Sequence, residues 1–339
     1  MFEGLRARVL GSGRAMRRAA KKNRTLIRVY GRLIGERERA YLELVRLRSR
    51  LGAKSVRAGI DPGRMVWIFG SGRSGSTWLR SMMGEIGGFR VWEEPMVGRL
   101  FGEFYARAPK ENLRSADFVM GDPIRKGWIE SVRNFVLDAA RYSNPRLGAE
   151  EYLVVKEPNG SVGAPLLMEA LPESRMILLV RDPRDVVASV LDAAREGGWL
   201  YASREGKTGT RRGRVDRRPN AFVRERAKVY RRGVESARLA YDAHGGPKVL
   251  VRYEDLRSDT MNEMRRIYST LGVPVDENEL RRAVEKHSWE NVPEGEKGRG
   301  KFYRKGTPGG WKEDLSPEQV QIVEKVTGQL LKELYPENV

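Results

Sequence analysis

The chain has 339 residues, 64 of them Lys or Arg against 45 Asp or Glu, with two His, no Cys, 40% apolar content and a net charge of +19. That length and apolar content exclude global disorder and allow one large domain or two ordinary ones, while the lack of cysteine excludes disulfides, thiolate metal sites and cysteine nucleophiles. His244 and His287 alone leave little for a histidine zinc site or a serine–histidine pair, and no apolar run reaches the roughly 18 residues of a membrane span.

Residues 1–58 carry 17 Lys plus Arg against 4 Glu. Leu26, Val29, Leu33, Ala40, Leu44, Leu47 and Leu51 recur at helical steps of three, four or seven, which predicts a basic helical N-terminal extension. It has no apolar core of the kind a signal peptide needs, so a cytoplasmic chain is expected. Gly59-Ile60-Asp61-Pro62-Gly63 breaks the pattern and marks a boundary. Short apolar runs then alternate with helical spacing. Strands are predicted at Val66–Phe69, Tyr152–Val155, Met176–Val180 and Val249–Val251, and helices over 77–87, 164–171, 184–194, 220–243, 258–271 and from Ser316-Pro317-Glu318 to Leu334. This alternation predicts an α/β fold: a three-layer α/β/α domain over 65–335 with a mainly parallel central sheet. Residues 197–219 and 288–310 lack periodicity and predict exposed loops or flaps. A second basic excess, 12 Lys plus Arg against 3 acids, falls over 204–232, so the remaining body is nearly neutral.

Three segments carry chemistry. The first runs from strand through glycine loop to helix, Val66-Trp67-Ile68-Phe69-Gly70-Ser71-Gly72-Arg73-Ser74-Gly75-Ser76-Thr77-Trp78. Such a turn aims backbone N–H groups and a helix dipole at an anion. Gly70, Gly72 and Gly75 spell GxGxxG, and Glu93 follows about 20 residues on, as in a dinucleotide site. Gly70 and Gly75 also fit a nucleoside-triphosphate loop, except that Ser76 stands where its lysine belongs. Alternatively, Arg73 with Ser74, Ser76 and Thr77 supplies a fixed charge and hydroxyls to phosphate or sulfate. A tight turn that binds nothing is the plain alternative.

Met176–Ser189, the second segment, takes a strand into a helix with Arg181 at the strand end and Ser189 eight residues on. A guanidinium fork and a hydroxyl so spaced can grip one phosphate; equally, Asp182 and Asp185 can cap the helix and pair with Arg181. The third is Arg304-Lys305-Gly306-Thr307-Pro308-Gly309-Gly310-Trp311-Lys312, a basic glycine loop in which Trp311 needs a packing partner.

These three segments, in this order, resemble the sulfotransferases that use 3′-phosphoadenosine 5′-phosphosulfate (PAPS), in particular the bacterial and tyrosylprotein-type members. The resemblance covers roughly 65–335 and implies a P-loop-like core. It implies that Arg73, Ser74, Gly75, Ser76, Thr77 and Trp78 hold the 5′-phosphosulfate and adenine side. Arg181, Ser189, Arg304, Lys305 and Gly306 would hold the 3′-phosphate, with Tyr253 of Tyr253-Glu254-Asp255-Leu256 near the adenine. The histidine base of cytosolic small-molecule members has no counterpart, because His244 and His287 lie late in the chain. Glu93-Glu94-Pro95 instead resembles the Glu-Glu of tyrosylprotein-type members, with Glu94, 21 residues after Arg73, as base. Lys156 of Val155-Lys156-Glu157-Pro158 resembles a lysine that stabilises the transition state; it could otherwise be a surface lysine or a partner of Glu157.

The expected activity is sulfuryl transfer from PAPS to a hydroxyl acceptor by in-line displacement, with Arg73, Glu94 and Lys156 catalytic and no metal. The acceptor is unspecified; an anionic peptide, glycan or lipid would suit the 204–232 stretch. Residues 1–58 could touch the inner membrane surface, and nucleic acid is disfavoured because no aromatic interleaving accompanies the charge. Two other readings stay open: an NAD-dependent oxidoreductase using the GxGxxG at 70–75, and a non-enzymatic basic nucleic-acid-binding protein.

Overall fold

Five short runs, each with apolar residues at alternate or successive positions, pair into one sheet in which every neighbour is parallel. They are β1 (Met65–Gly70), β2 (Phe89–Glu93), β3 (Tyr152–Lys156), β4 (Arg175–Val180) and β5 (Lys248–Arg252), in the order β2-β3-β1-β4-β5. The computed structural model describes residues 60–200, 215 and 218–336, all in the unit that begins at Gly59. The expected extension over 1–58 lies outside the described residues, as does most of 201–217.

The longer helices among the described residues are α1 (Ser76–Glu85), α2 (Val97–Arg107), α3 (Arg125–Ser143), α4 (Ala164–Ala170), α5 (Pro183–Ala194), α6 (Pro219–Ala243), α7 (Tyr253–Ser258), α8 (Thr260–Leu271), α9 (Glu277–Lys286) and α10 (Pro317–Leu334). Strand alternation divides the core. Met65, Trp67 and Phe69 of β1 point into one apolar layer with α3, α4 and α6, while Val66 and Ile68 point into the other with α1, α8 and α9. A third cluster joins α5, α6 and α10 through Val187, Leu191, Val223, Ala227, Ile322 and Val323. The three-layer α/β/α expectation therefore holds. Among the described residues no helix is long and apolar enough to cross a membrane.

Chemistry at the helix starts is local. Asp182 caps α5, accepting from the Arg184 N–H at 2.8 Å with Pro183 in the first turn, and Ser316 and Gln319 form a reciprocal capping box on α10. The sequence left three elements unassigned that matter here: edge strand β2, α2 and α3. β2 is five residues long and carries Arg90 and Glu93, so its alternation is weak. α2 has Gly98 and Gly102 in its interior, poor helix formers that packing overrides.

The segment 288–310 is the largely exposed loop expected from its composition, but it has local order. Short turns at Trp289–Asn291 and Glu294–Glu296 and a bridge from Lys297 to Tyr303 fold it into a wall, because its aromatics have partners in the site.

Candidate active site

Strand order reverses beside β1, where β3 lies on one side and β4 on the other, and a crevice forms there at the carboxyl ends of the strands. A cleft partly open to solvent occupies it. Its walls come from four separated stretches: Arg73 and Gly75–Trp78, Arg181 with Ser189, Tyr253 with Arg257, and the wall from His287 to Gly306. Every expected cofactor residue lines the cleft except Ser74, which is fully buried and donates its hydroxyl to the Ser71 carbonyl at 2.6 Å.

Gly75, at the start of α1, has φ +92°, and a Cβ there would fall 2.5 Å from the Tyr253 ring. Only glycine lets the loop take this turn against that ring. Gly75 is the N-cap and Ser76 and Thr77 open the first turn, where backbone amides have no partner within a helix, and all three residues line the cleft. On the other side Tyr253 donates to the Gly306 carbonyl at 3.0 Å, and Arg257 reaches the same oxygen at 3.2 Å. Trp78 is fixed by its indole N–H on the His287 carbonyl at 2.7 Å.

The cleft is strongly cationic. Arg73 donates to Ser189 at 3.0 Å and to the Phe302 carbonyl at 2.5 Å, with its guanidinium 4.6 Å from the centre of the Phe302 ring. Its pKa is pushed down to about 10, by burial first and then by the like charges of Arg181 and Arg304. Arg181 lies 4.1 Å over the Tyr253 ring, and its Nε is buried with no hydrogen-bond partner. Like charges pressing on Arg73 and an orphaned donor on Arg181 fit an anionic ligand in the cleft.

Asp185 ties the walls together. Fully buried, it accepts from the Gly309 N–H at 2.8 Å and the Trp311 N–H at 2.9 Å, and sits 3.8 Å from Arg181. Burial pushes its pKa up, against the pull of Arg181 and those two amides. Trp311 finds its packing partner in Arg184, whose guanidinium lies 4.2 Å over the ring. Arg304 pairs with Asp314, and Lys305 with Glu313 at 2.7 Å.

Glu94 and Lys156 do not line this cleft. They sit at the adjoining ends of β2 and β3, where Lys156, 4% exposed, holds Glu93 at 2.6 Å and Glu94 at 2.8 Å. Lys156 is therefore neither a surface lysine nor the partner of Glu157. Glu93 is shared with Arg80 of α1 at 2.8 Å, whereas Glu94 takes the Asn159 amide at 3.0 Å. Asn159 in turn abuts the glycine loop: a Cβ on Gly72 would lie 2.9 Å from its Oδ1. The carboxylate cluster thus adjoins the loop one residue from Arg73. Arg73, Glu94 and Met96 are the described non-glycine residues with positive φ, at 72°, 42° and 62°, and all three lie in the two loops that meet here.

Several contributors were not legible in the sequence. Asn159, Arg257, Trp289 and Phe302 reach the site only through tertiary contacts. His244, buried against the Ser174 carbonyl, and the His287 ring, which faces Glu85, take no part. Among the described residues no three His, Cys, Asp or Glu side chains come together to hold a metal ion. The dinucleotide reading fails on topology, because β3 separates β2 from β1 and Glu93, at the end of β2, is engaged by Lys156 and Arg80.

No curated protein matches the sequence. Among solved structures, the chain is similar to mouse sulfotransferase SULT7A1 complexed with PAP, with a TM-score of 0.50, 14% identity and coverage of 81% of this chain and 86% of that one. It is also similar to sulfotransferase STF9 from Mycobacterium avium, with a TM-score of 0.51, 16% identity and coverage of 81% and 77%. Both likenesses concern the fold. A profile of the sulfotransferase family matches residues 66–277, more than half the chain and all five strands, and the chain accordingly belongs to the sulfotransferase family.

Proposed function

We propose that the chain transfers a sulfuryl group from PAPS to a hydroxyl acceptor, with Glu94 as base. The observation that carries this reading is the single cleft that gathers Arg73 under the like charges of Arg181 and Arg304, an unpaired buried guanidinium Nε and the residues that open α1. PAPS supplies an activated sulfuryl group on a 5′-phosphate and a 3′-phosphate for recognition. In this reading Arg73 and residues 74–77 hold the 5′ end. Arg181, Ser189, Arg304, Lys305 and Gly306 hold the 3′-phosphate, and Trp78, Tyr253 and Trp289 offer ring faces to the adenine.

The chemistry is an in-line displacement at sulfur. The bond from sulfur to the 5′-phosphate oxygen breaks, a bond to the acceptor oxygen forms, and the acceptor proton passes to Glu94. Arg73 is the cleft cation that answers charge as it grows on the leaving oxygen, and Lys156, which holds Glu94 at 2.8 Å, stabilises the transition state from beside the base. Glu94 suits the base role better than Glu93, which two cations engage. Replacing Arg181 by Ala tests the 3′-phosphate assignment. Calorimetry should show affinity for 3′-phosphoadenosine 5′-phosphate (PAP) falling by about 2–5 kcal/mol as a buried charge pair is broken, down to that for adenosine 5′-phosphate. Equal affinity in the variant would refute the assignment.

The reading further places the chain in the cytoplasm, with the basic segment 1–58 meeting an anionic membrane surface. Salt-sensitive liposome sedimentation that disappears on deleting 1–58 is its test. An acidic acceptor drawn by the 204–232 charge would show turnover that falls with ionic strength.

A further inference from the structure

Glu157 is a carboxylate beside the site for which the chemistry above has no use. It is fully buried, and among the described residues no ion pair reaches it. A carboxylate taken out of water without a cation is costly, and burial pushes its pKa up to about 7, with the charge of Glu94 adding to the rise. Its two oxygens are spent on backbone: Oε2 accepts from the Met96 N–H at 2.9 Å and Oε1 from the Gly98 N–H at 3.0 Å.

Those amides belong to the turn that carries Glu94 into α2. Glu94 and Met96 are both left-handed, at φ 42° and 62°, conformations that cost side-chain-bearing residues free energy and persist only where the surroundings impose them. The far end of the turn is also tied to the same strand end, since the Glu94 N–H donates to the Lys156 carbonyl at 2.9 Å. Behind it, α2 lies backbone against backbone on the 158–163 turn: a Cβ on Gly98 would fall 2.3 Å from the Gly160 carbonyl oxygen. Residues 156–160 therefore grip the 94–98 turn at three points.

We propose that Glu157 is a positioning residue: its carboxylate spans Met96 and Gly98 and holds the strained turn that sets the Glu94 carboxylate beside the glycine loop. The inference rests on Glu94 being the base, and its test separates the two. Release of PAP from PAPS in buffer needs no identified acceptor. Water takes the sulfuryl group, the bond from sulfur to the 5′-phosphate oxygen breaks, and the water proton passes to Glu94. Glu157→Gln, whose amide cannot accept from both N–H groups, should lower this turnover at saturating PAPS at least 10-fold. Affinity for PAP should stay within 2-fold, because the cofactor cleft is untouched. Adding Met96→Asn, a residue that tolerates positive φ, should restore part of the loss, which a general structural defect would not allow. Full turnover in Glu157→Gln alongside lost turnover in Glu94→Gln would overturn the positioning role and leave the base in place. Full turnover in Glu94→Gln would overturn the base reading and this inference with it. Should Glu157→Gln not fold, hydrogen exchange in the unaltered chain decides. Met96 and Gly98 amides as protected as those of β3 support the clamp, and exchange as fast as in exposed loops overturns it.

Discussion

Asp185→Asn probes how the basic loop 304–311 is held over the cleft. The native carboxylate accepts two backbone N–H bonds, from Gly309 at 2.8 Å and Trp311 at 2.9 Å. Hydrogen bonds to a charged group contribute about 1.5–3 kcal/mol each. Asparagine keeps one carbonyl oxygen but turns its NH2 toward the other donor, so one bond is lost and one amide is left unpaired. The loop should therefore open about 2–3 kcal/mol more easily, roughly 30- to 140-fold at 1.4 kcal/mol per decade. Hydrogen exchange read by mass spectrometry over 304–315 measures this directly, and exchange there should accelerate by that factor while β1 and β4 stay protected. PAP affinity should fall in the same variant, since Arg304, Lys305 and Gly306 would spend less time in place. Unchanged exchange would mean that the Arg304–Asp314 and Arg184–Trp311 contacts, not Asp185, hold the loop.

Two other expectations follow from particular residues. Glu157 has a folded pKa pushed up to about 7 from an ordinary 4.5, so its contribution to stability is complete below about 4.5 and is lost as pH rises through 7; unfolding free energies from denaturant titration of the unaltered chain should fall over that window relative to Glu157→Gln, by at most about 3 kcal/mol, and parallel curves would refute it. Gly75→Ala places a Cβ 2.5 Å from the Tyr253 ring at φ +92°, and the strain and displacement, about 2–4 kcal/mol together, should appear as weaker PAP binding with the fold retained; native affinity would show that Tyr253 can move aside without consequence.

Most of the fold was legible because buried parallel strands are local apolar runs and the helices after them keep a 3.6-residue spacing. The helix at 125–143 carried the same signal in Trp128, Val132, Val136 and Ala140. Short edge strand β2 and glycine-bearing α2 are held by packing, which periodicity does not record. The cofactor loops were legible for a related reason: a turn with amides and arginines aimed at an anion is built from neighbouring residues. Pairings across the chain were not. Arg73 meets Phe302 over 229 positions, and Asp185, readable as a helix cap, leaves that task to Asp182 and binds Gly309 and Trp311 instead. Strand alternation sends successive residues to opposite faces, which argues against a Lys156–Glu157 pair, but the Lys156–Glu93 partnership depends on the β2–β3 register that the sequence did not show.

Calorimetric titration of the purified chain with PAP, beside NAD and ATP–magnesium, tests the central claim most directly. The account predicts roughly micromolar or tighter binding of PAP alone. Binding of NAD without PAP, or of none of the three, would contradict it.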